Sequence, residues 1–295
     1  QNYSEWQKTA WALHMILQMM GKTKLVLSYP EPEWNHALLR VTPDGYTTGL
    51  IPYGSKSFSV DINIRTSMVS LASANGEFSG FTLQDNKSVS SYFASYNYLL
   101  DSMGFEVDIN PVPQEVADTT PFDKQTERLE WDQKSALNYL YANQFAHNAI
   151  ARFTAPFRGK KLAPALFWGT YDMTGILFSG KEAASTGKGY VAKAAFDEQM
   201  IEFGFWPGDP RWDEPTLFAV SYPSDGKEYT DDMVRPKEAN YNKSYSEFFL
   251  PLSAVLRYEN PMDEAVRFFE DSFNAYAKDN WDNLEWFTKP LEIHN

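Results

Sequence analysis

The stretch from Phe167 to Thr174 places one carboxylate among aromatic and hydroxyl side chains. If this stretch is extended, Trp168 and Asp172 point to one side of a sheet, because side chains alternate along a strand. A carboxylate accepts hydrogen bonds, and an indole ring offers a flat surface to the carbons of a sugar or another ligand. The stretch therefore predicts a partly enclosed cleft in which Asp172 has a partner such as Arg158 or His14. The alternative is an exposed strand face with a structural tryptophan.

Two further carboxylates, Glu198 and Glu202, are expected one turn apart in a helix from Val191 to Phe203. A hydrolase that works by acid and base catalysis needs two carboxylates within mutual reach. Like charges at this spacing are also common on a solvated helix face. The segment Gly204 to Gly208 follows, and its Trp206 is either a ligand-binding ring or part of a structural corner.

The first helix carries a polar face beside its apolar stripe. We expect this helix from Ser4 to Met20, with Gly21 at its end, because apolar residues recur there at helical spacing. Trp11, His14 and Gln18 share a face away from that stripe. This face either lines a cleft or packs half-buried against a sheet.

The histidines and basic residues outside that helix give weaker signals. The chain has four histidines and no cysteine, which excludes disulfides, thiol nucleophiles and cysteine-bound metals. His36 is expected on a strand face with Arg40, in a site or exposed to solvent. Arg158 begins a local basic cluster that either contacts an anion or forms a soluble turn. A metal held by His14, His36 and a carboxylate is chemically feasible, but no histidine spacing motif supports it. We predict no metal, and the sequence identifies no cofactor.

Composition narrows the class of protein. The 295 residues are 43% hydrophobic, carry a net charge of -13 and predict a folded chain of about two domains. The negative charge disfavours nucleic acids and anionic membranes as partners, and no apolar run is long enough for a transmembrane helix. The segment from Gln1 to Trp11 lacks the apolar core of a signal peptide, which favours a cytoplasmic location. The common catalytic motifs are missing.

The order of predicted elements indicates an α+β protein with antiparallel sheets and packed helices. Alternating residues from Phe58 to Ile64 predict a strand, Asn75-Gly76 predicts a hairpin turn, and Ser88 is expected to cap a helix. Long helices are expected from about Trp131 to Phe153 and after Asn260-Pro261. We predict two similar-sized, closely associated halves. These are a helix and antiparallel-sheet half at 1–109, a proline-rich linker at 110–129 and an α+β half at 130–295.

Several short motifs, in order along most of the chain, make it resemble the bacterial family called domain of unknown function 5996. The motifs are Leu13-His14 with Gln18 and Gly21-Lys22, Ile51 to Gly54, Pro121-Phe122, Phe157 to Lys160, Phe167 to Gly169 with Asp172, Phe178 to Gly180, Gly204 to Gly208, and Arg235-Pro236. Members carry a His-Glu pair that aligns with Asp197-Glu198, so the histidine is replaced here. The resemblance implies the extent of the fold and names no reaction.

These observations favour a protein that binds a small polar or carbohydrate-like molecule in an aromatic- and carboxylate-lined cleft, with hydrolysis left open. The alternative is a noncatalytic interaction module that forms homodimers. The sequence does not decide whether the protein is an enzyme. The candidate catalytic residues are Asp172, Glu198 and His14, and the candidate ligand-binding residues are Trp168, His36, Gln18, Arg158 and Trp206.

Overall fold

The computed structural model describes residues 1–184 and 189–292, which form two compact units. Unit 1 comprises Gln1–Gln144, Leu166–Asp172 and Asp209–Asp213. Unit 2 comprises Phe145–Ala165, Met173–Gly208 and the chain from Glu214 onward. The division at residues 110–129 that the prolines suggest stays a prediction.

The helices of unit 1 begin and end close to the sequence signals at most termini. They are α1 (Gln7–Leu27), α2 (Val89–Ser102) and the first part of α3 (Gln133–Thr154), with 3-10 turns at Tyr3–Glu5, Pro32–Ala37 and Phe122–Lys124. The hydroxyl of Ser88 accepts a hydrogen bond from the Ser91 amide, so the expected cap of α2 is confirmed. The helix predicted from about Trp131 to Phe153 is confirmed as α3.

Helix α1 continues past Gly21, so the end predicted at that glycine is wrong. A Cβ at Gly21 would lie 2.3 Å from the indole of Trp168. The glycine therefore permits close approach of an aromatic ring to the helix. Lys24 to Leu27 complete the helix as its last turn.

The first sheet lies in unit 1, and all its pairings are antiparallel. Its strands are β1 (Arg40–Val41), β2 (Gly45–Thr47), β3 (Ile51–Tyr53), β4 (Lys56–Asn63), β5 (Met68–Ser73) and β6 (Phe78–Thr82). The order is β1-β2-β4-β5-β6, and β3 also pairs with β4. Phe58, Val60 and Ile62 are buried as predicted. Gly76, at φ +90°, occupies the expected hairpin turn.

The second sheet has the order β11-β12-β10-β9-β8-β7. Its strands are β7 (Lys161–Phe167), β8 (Asp172–Glu182), β9 (Glu198–Trp206), β10 (Thr216–Tyr222), β11 (Asn240–Asn242) and β12 (Glu247–Pro251). The helices of unit 2 after α3 are α4 (Tyr190–Ala195), α5 (Leu252–Val255), α6 (Pro261–Ala277) and α7 (Leu284–Phe287). Helix α6 begins at Asn260-Pro261 as predicted. Its Phe269 and Phe273 pack on Phe203 of β9. The α+β class with antiparallel sheets is confirmed.

The helix predicted from Val191 to Phe203 is wrong beyond its first residues. Helix α4 ends at Ala195, and from Glu198 the chain is a strand between β8 and β10. Pairing on both sides determines the backbone there, and this overrides the helical spacing of the apolar residues. Glu198 and Glu202 are therefore four residues apart on a strand.

The described helices include none that is both long and apolar enough to cross a membrane.

Candidate functional site

A sharp turn connects β7 to β8 and replaces the extended stretch that the sequence suggests. The amide of Tyr171 donates a hydrogen bond to the carbonyl of Phe167 at 2.8 Å. Tyr171 itself has a left-handed backbone, with φ +69°. A tyrosine in this conformation is strained, by about 1 kcal/mol or more, and such strain is concentrated at functional sites. The predicted alternation of side chains from Trp168 to Thr174 is wrong because of this turn.

His14 of α1 holds the turn through its imidazole. Its Nε2 lies 2.8 Å from the carbonyl oxygen of Trp168 and 3.1 Å from that of Gly169. Because carbonyl oxygens only accept, the neutral ring carries its proton on Nε2. The ring stacks on Tyr171 with centroids 4.4 Å apart. Burial lowers the pKa of His14 to about 4, although the two carbonyls act in the opposite direction. His14 is therefore a neutral hydrogen-bond donor at pH 7.

Trp168 is fixed from a different side. Its indole N–H donates to the carbonyl of Ala37 at 3.0 Å, and the ring is buried against Gly21. Ala37 ends the 3-10 turn that contains His36. Trp168 is therefore held both by a hydrogen bond and by close packing of its indole on α1.

Gln18, one turn after His14, brings a second segment to the same place. Its amide nitrogen donates to the carbonyl of Gln114 at 2.8 Å, and its amide oxygen accepts from the Gln114 N–H at 2.8 Å. The next residue, Glu115, has a left-handed backbone with φ +58°. Its carboxylate lies against Gly169, where a Cβ would be 2.0 Å from Oε2. The glycine at position 169 thus makes room for this carboxylate.

Glu115 and Asp172 form an interacting pair of carboxylates. Burial raises the pKa of Glu115, and the charge of Asp172 raises it further. Asp172 is 8% exposed, and its Oδ1 accepts a hydrogen bond from the hydroxyl of Thr170. Glu115 and Thr170 are exposed as whole residues, whereas the Glu115 carboxylate is covered where it lies against Gly169, so the two carboxylates lie at the solvent boundary of unit 1. Two carboxylates with different environments are the usual requirement for acid and base roles.

A buried cluster of tyrosines lies behind the turn. The Tyr139 hydroxyl donates to the Tyr171 carbonyl at 2.9 Å. The Asn143 amide nitrogen donates to the Tyr46 hydroxyl and to the Tyr139 carbonyl, each at 3.0 Å. Burial holds the pKa of each of these phenols well above its ordinary value. Within the described residues, the Tyr171 hydroxyl and the Asn143 carbonyl oxygen have no hydrogen-bond partner. The charge of Asp172 also raises the pKa of Tyr139, so the cluster extends to the carboxylate pair.

His36 does not lie on a strand, and it is not exposed. It belongs to the 3-10 turn Pro32–Ala37, is 6% exposed, and its Nδ1 accepts from the Glu31 amide at 3.0 Å. The expectation that it shares a strand face with Arg40 is therefore wrong. Proline at the first helical position and the left-handed residues Glu33 and Trp34 produce the turn.

Three candidate residues belong to unit 2 and have partners there. Glu198 accepts from Lys160 at 2.7 Å and from the Gly180 amide at 2.9 Å. Arg158 donates to the carbonyls of Lys289 and Pro290, each at 3.1 Å. Trp206 packs beside Tyr245. Their roles in ligand binding stay predictions.

In the part of the chain that the structure describes, no group of three or more histidine, aspartate and glutamate residues is arranged to hold a metal ion.

Sequence reasoning identified His14, Gln18, Trp168 and Asp172, which the structure brings to one turn of unit 1. It missed Glu115, because the surrounding prolines indicate a linker and nothing in the spacing connects that segment to α1. Nothing in the sequence indicated that the Tyr171 hydroxyl and the Asn143 carbonyl oxygen lack hydrogen-bond partners within the described residues. In the sequence, Tyr139 and Asn143 do not differ from other residues of the predicted helix.

The fold defines an α+β chain with two antiparallel sheets. Within this class, residues 1–286 match a family that is described as a family of unknown function (DUF5996), and the chain belongs to that family. The resemblance noted from the sequence motifs is thereby confirmed. Comparison with curated proteins and with solved structures gave no match.

Proposed function

We propose that the protein binds a small polar, polyol- or sugar-like molecule at Glu115, Thr170 and Asp172. The observation that carries this proposal is that the Glu115 carboxylate lies against Gly169, in the turn whose Thr170 is hydrogen-bonded to Asp172. The charge of Asp172 accordingly contributes to the raised pKa of Glu115. Two neighbouring carboxylates repel each other, and hydroxyl groups of a ligand relieve that repulsion by donating hydrogen bonds to both. The hydroxyl of exposed Thr170 donates its proton to Asp172, so its oxygen offers an acceptor to a ligand beside the two carboxylates.

The surroundings support a preorganised site. His14 fixes the carbonyls of Trp168 and Gly169, and Gln18 fixes the backbone next to Glu115. Both side chains are buried, so they hold the two segments without themselves facing solvent. A site whose polar groups are already positioned loses less entropy when the ligand binds.

Hydrolysis of a glycosidic bond is the finer form of this function, and a specific observation favours it. The raised pKa of Glu115 suits a general acid, and Asp172 would act as the second carboxylate. In this scheme Glu115 protonates the leaving oxygen, and Asp172 activates water or attacks the sugar carbon.

The test is a thermal-shift screen of the parent protein with monosaccharides, disaccharides and polyols, followed by calorimetric titration of each hit. We expect Glu115→Gln and Asp172→Asn to weaken binding at least tenfold, which is about 1.4 kcal/mol. Glu127→Gln changes an exposed acid and is the matched control, with binding unchanged. Equal affinity of the parent and both site variants would contradict the proposal. Release of a reducing sugar by the parent, lost in Glu115→Gln, would support the hydrolytic form.

The alternative function is a noncatalytic module that forms homodimers. Its support is Phe78, which is 64% exposed on β6 at the edge of the first sheet. Sedimentation measurements on the parent and on Phe78→Ser separate the two functions. A dimer lost in the variant, together with no hit in the ligand screen, would favour the interaction module.

A further inference from the structure

Lys22 of α1 is a buried amine among aromatic rings. The residue is 4% exposed. Its Nζ lies 5.8 Å from the ring centroid of Trp168 and 6.0 Å from that of Phe122. Over the described residues, its ammonium group has no hydrogen bond or ion pair. A buried charge without a counter-ion is costly, so lysines in such places are uncommon unless they have a function.

Other partly covered lysines of the chain differ from Lys22 in this respect. Lys24, two residues later in the same helix, donates to the Leu38 carbonyl at 2.7 Å. Lys161 donates to the Thr154 carbonyl at 2.8 Å, and Lys160 pairs with Glu198 at 2.7 Å. The chain has 39 acidic side chains. The sequence therefore has many carboxylates that could serve as a counter-ion for Lys22, but none of those on the described residues is paired with its ammonium group.

The environment favours the free amine. Burial lowers the pKa of Lys22 to about 8, and it is the sole cause of the change. At pH 7 about a tenth of the side chains then carry an unprotonated nitrogen, against fewer than about one in a thousand for an ordinary lysine. No charged neighbour is among the causes of this lower pKa. The ionisable residues on the surrounding elements are His14 and Lys24 on α1, Tyr96 on α2, His36, Asp123 and Lys124 on the 3-10 turns, and Asp172 at the start of β8.

We propose that Lys22 is a nucleophilic amine that condenses with a small aldehyde or ketone. The Nζ lone pair attacks the carbonyl carbon to give a carbinolamine. The carbonyl oxygen then leaves as water with the two hydrogens of the amine, and a carbon–nitrogen double bond remains. Desolvated lysines between apolar groups are the usual nucleophiles of this chemistry. This inference is independent of the carboxylate site.

The carbonyl compound approaches from the side of Phe122. Trp168 is held by its hydrogen bond to Ala37 and does not open. Phe122 belongs to the 3-10 turn Phe122–Lys124, whose Asp123 and Lys124 are exposed and pair with each other. Gln125 directly follows this turn and accepts a hydrogen bond from the indole of Trp11 on α1 at 2.9 Å, so access to Nζ requires the turn to move relative to α1.

The experiment traps the imine by reduction. The full chain is incubated with acetaldehyde and cyanoborohydride from pH 6 to 10, and the ethylated lysines are quantified by peptide mass spectrometry. We expect Lys22 to react at pH 7 at least tenfold faster than exposed Lys56, with its rate rising through a midpoint near pH 8. Lys22→Arg removes only the Lys22 adduct.

Two results would overturn the inference. One is a Lys22 rate no faster than that of Lys56 at pH 7. The other is a Lys22 adduct that forms only after the chain is unfolded in guanidinium. Both comparisons are made within the parent protein, so they hold even if Lys22→Arg fails to fold. They also involve no sugar, so failure here leaves the carboxylate proposal standing.

Discussion

The two units bury different kinds of polar side chain. Of the described residues, every buried one that carries a charge, an imidazole or an amide belongs to unit 1, whereas the buried polar residues of unit 2 carry only hydroxyl groups. The unit 1 set is His14, Gln18, Lys22, Glu33, His36, Asn143 and Asp172. The unit 2 set is Thr154, Thr174, Ser179, Thr216 and Ser272.

Buried hydroxyls of unit 2 are compatible with an apolar core because nearby backbone carbonyls accept their hydrogen bonds. Thr154 donates to the Ile150 carbonyl and Ser272 to the Phe268 carbonyl, each at 2.8 Å and one helical turn away. Around them lies an aromatic cluster of Phe153, Phe203, Phe269 and Phe273. Unit 2 is therefore a packed scaffold, with an aromatic core and locally hydrogen-bonded hydroxyls.

Unit 1 instead buries groups that each cost several kcal/mol unless a partner compensates. His14 and Gln18 have such partners, but the Tyr171 hydroxyl and the Asn143 carbonyl oxygen do not, within the described residues. An apolar core would be more stable at these positions. The difference locates the candidate site in unit 1.

The largest effect is expected in the unit 2 core. Phe203→Ala removes a ring that contacts Phe153, Phe269 and Phe273, and we expect it to lower the free energy of unfolding by about 3–5 kcal/mol. Denaturant unfolding measures this loss. Phe78→Ala, at an exposed position, should change it by less than about 0.5 kcal/mol. Similar values for both variants would contradict the packed-scaffold description.

The next effect is the pH dependence that His14 gives unit 1. Its folded pKa of about 4 lies below the unfolded value of 6.5, so the unfolded state binds more protons between these values. Stability should therefore be unaffected by His14 above pH 6.5 and fall by up to about 3 kcal/mol as the pH falls to 4.

Unfolding curves of the parent and of His14→Gln isolate this contribution, because the carboxylates are common to both. The variant should lose less stability between pH 6.5 and 4. His147→Gln, on the half-exposed part of α3, should behave as the parent does. If the parent and His14→Gln lost stability in parallel, the buried neutral imidazole would be refuted.

A smaller effect is expected for Lys22, where the pH dependence has the same sign but the substitution stabilises the protein. Its folded pKa of about 8 lies below the unfolded value of 10.5, so the stability of the parent should rise with pH between them. Lys22→Met removes the uncompensated amine and should be about 1–2 kcal/mol more stable at pH 7, without that rise. Thermal melts at pH 7 and 10.5 give both quantities. A less stable variant at pH 7 would show that the amine has a partner in the folded chain.

The smallest effect is expected for an exposed ion pair of unit 2. Arg152 and Asp263 lie 2.7 Å apart, but both side chains are at least half exposed. Exposed pairs of this kind contribute about 0–1 kcal/mol and weaken in salt. A double-mutant cycle with Arg152→Gln and Asp263→Asn measures the coupling. A coupling energy above about 2 kcal/mol would show that ionic contacts matter in unit 2 as well.

The fold was largely predictable where local signals agree with packing. Ser88, Asn260-Pro261 and the alternation in β4 each have a local cause, and the structure keeps all of them. The prediction failed where contacts with distant segments determine the local backbone structure. Gly21 looks like a helix end, but it accommodates the Trp168 indole, and the residues after Glu198 have helical spacing but pair with two strands.

Part of the candidate site was predictable from local patterns, and the part that depends on distant contacts was not. His14, Gln18 and Asp172 are polar residues inside apolar patterns, which marks them as unusual in sequence. Glu115 is one acidic residue among others in a proline-rich segment. Its position depends on the hydrogen bonds between Gln18 and the backbone of the preceding residue, Gln114, and on the missing side chain at Gly169, neither of which a single sequence displays.

Glu115 and Asp172 form one interacting pair of carboxylates in unit 1. The direct measurement is the titration of the Glu115 side-chain carboxyl carbon by NMR, in the parent and in Asp172→Asn. We expect the pKa of Glu115 to lie above its ordinary value in the parent and to fall in the variant, because the neighbouring negative charge is removed. An ordinary pKa in the parent, or a raised pKa that Asp172→Asn leaves unchanged, would contradict the account.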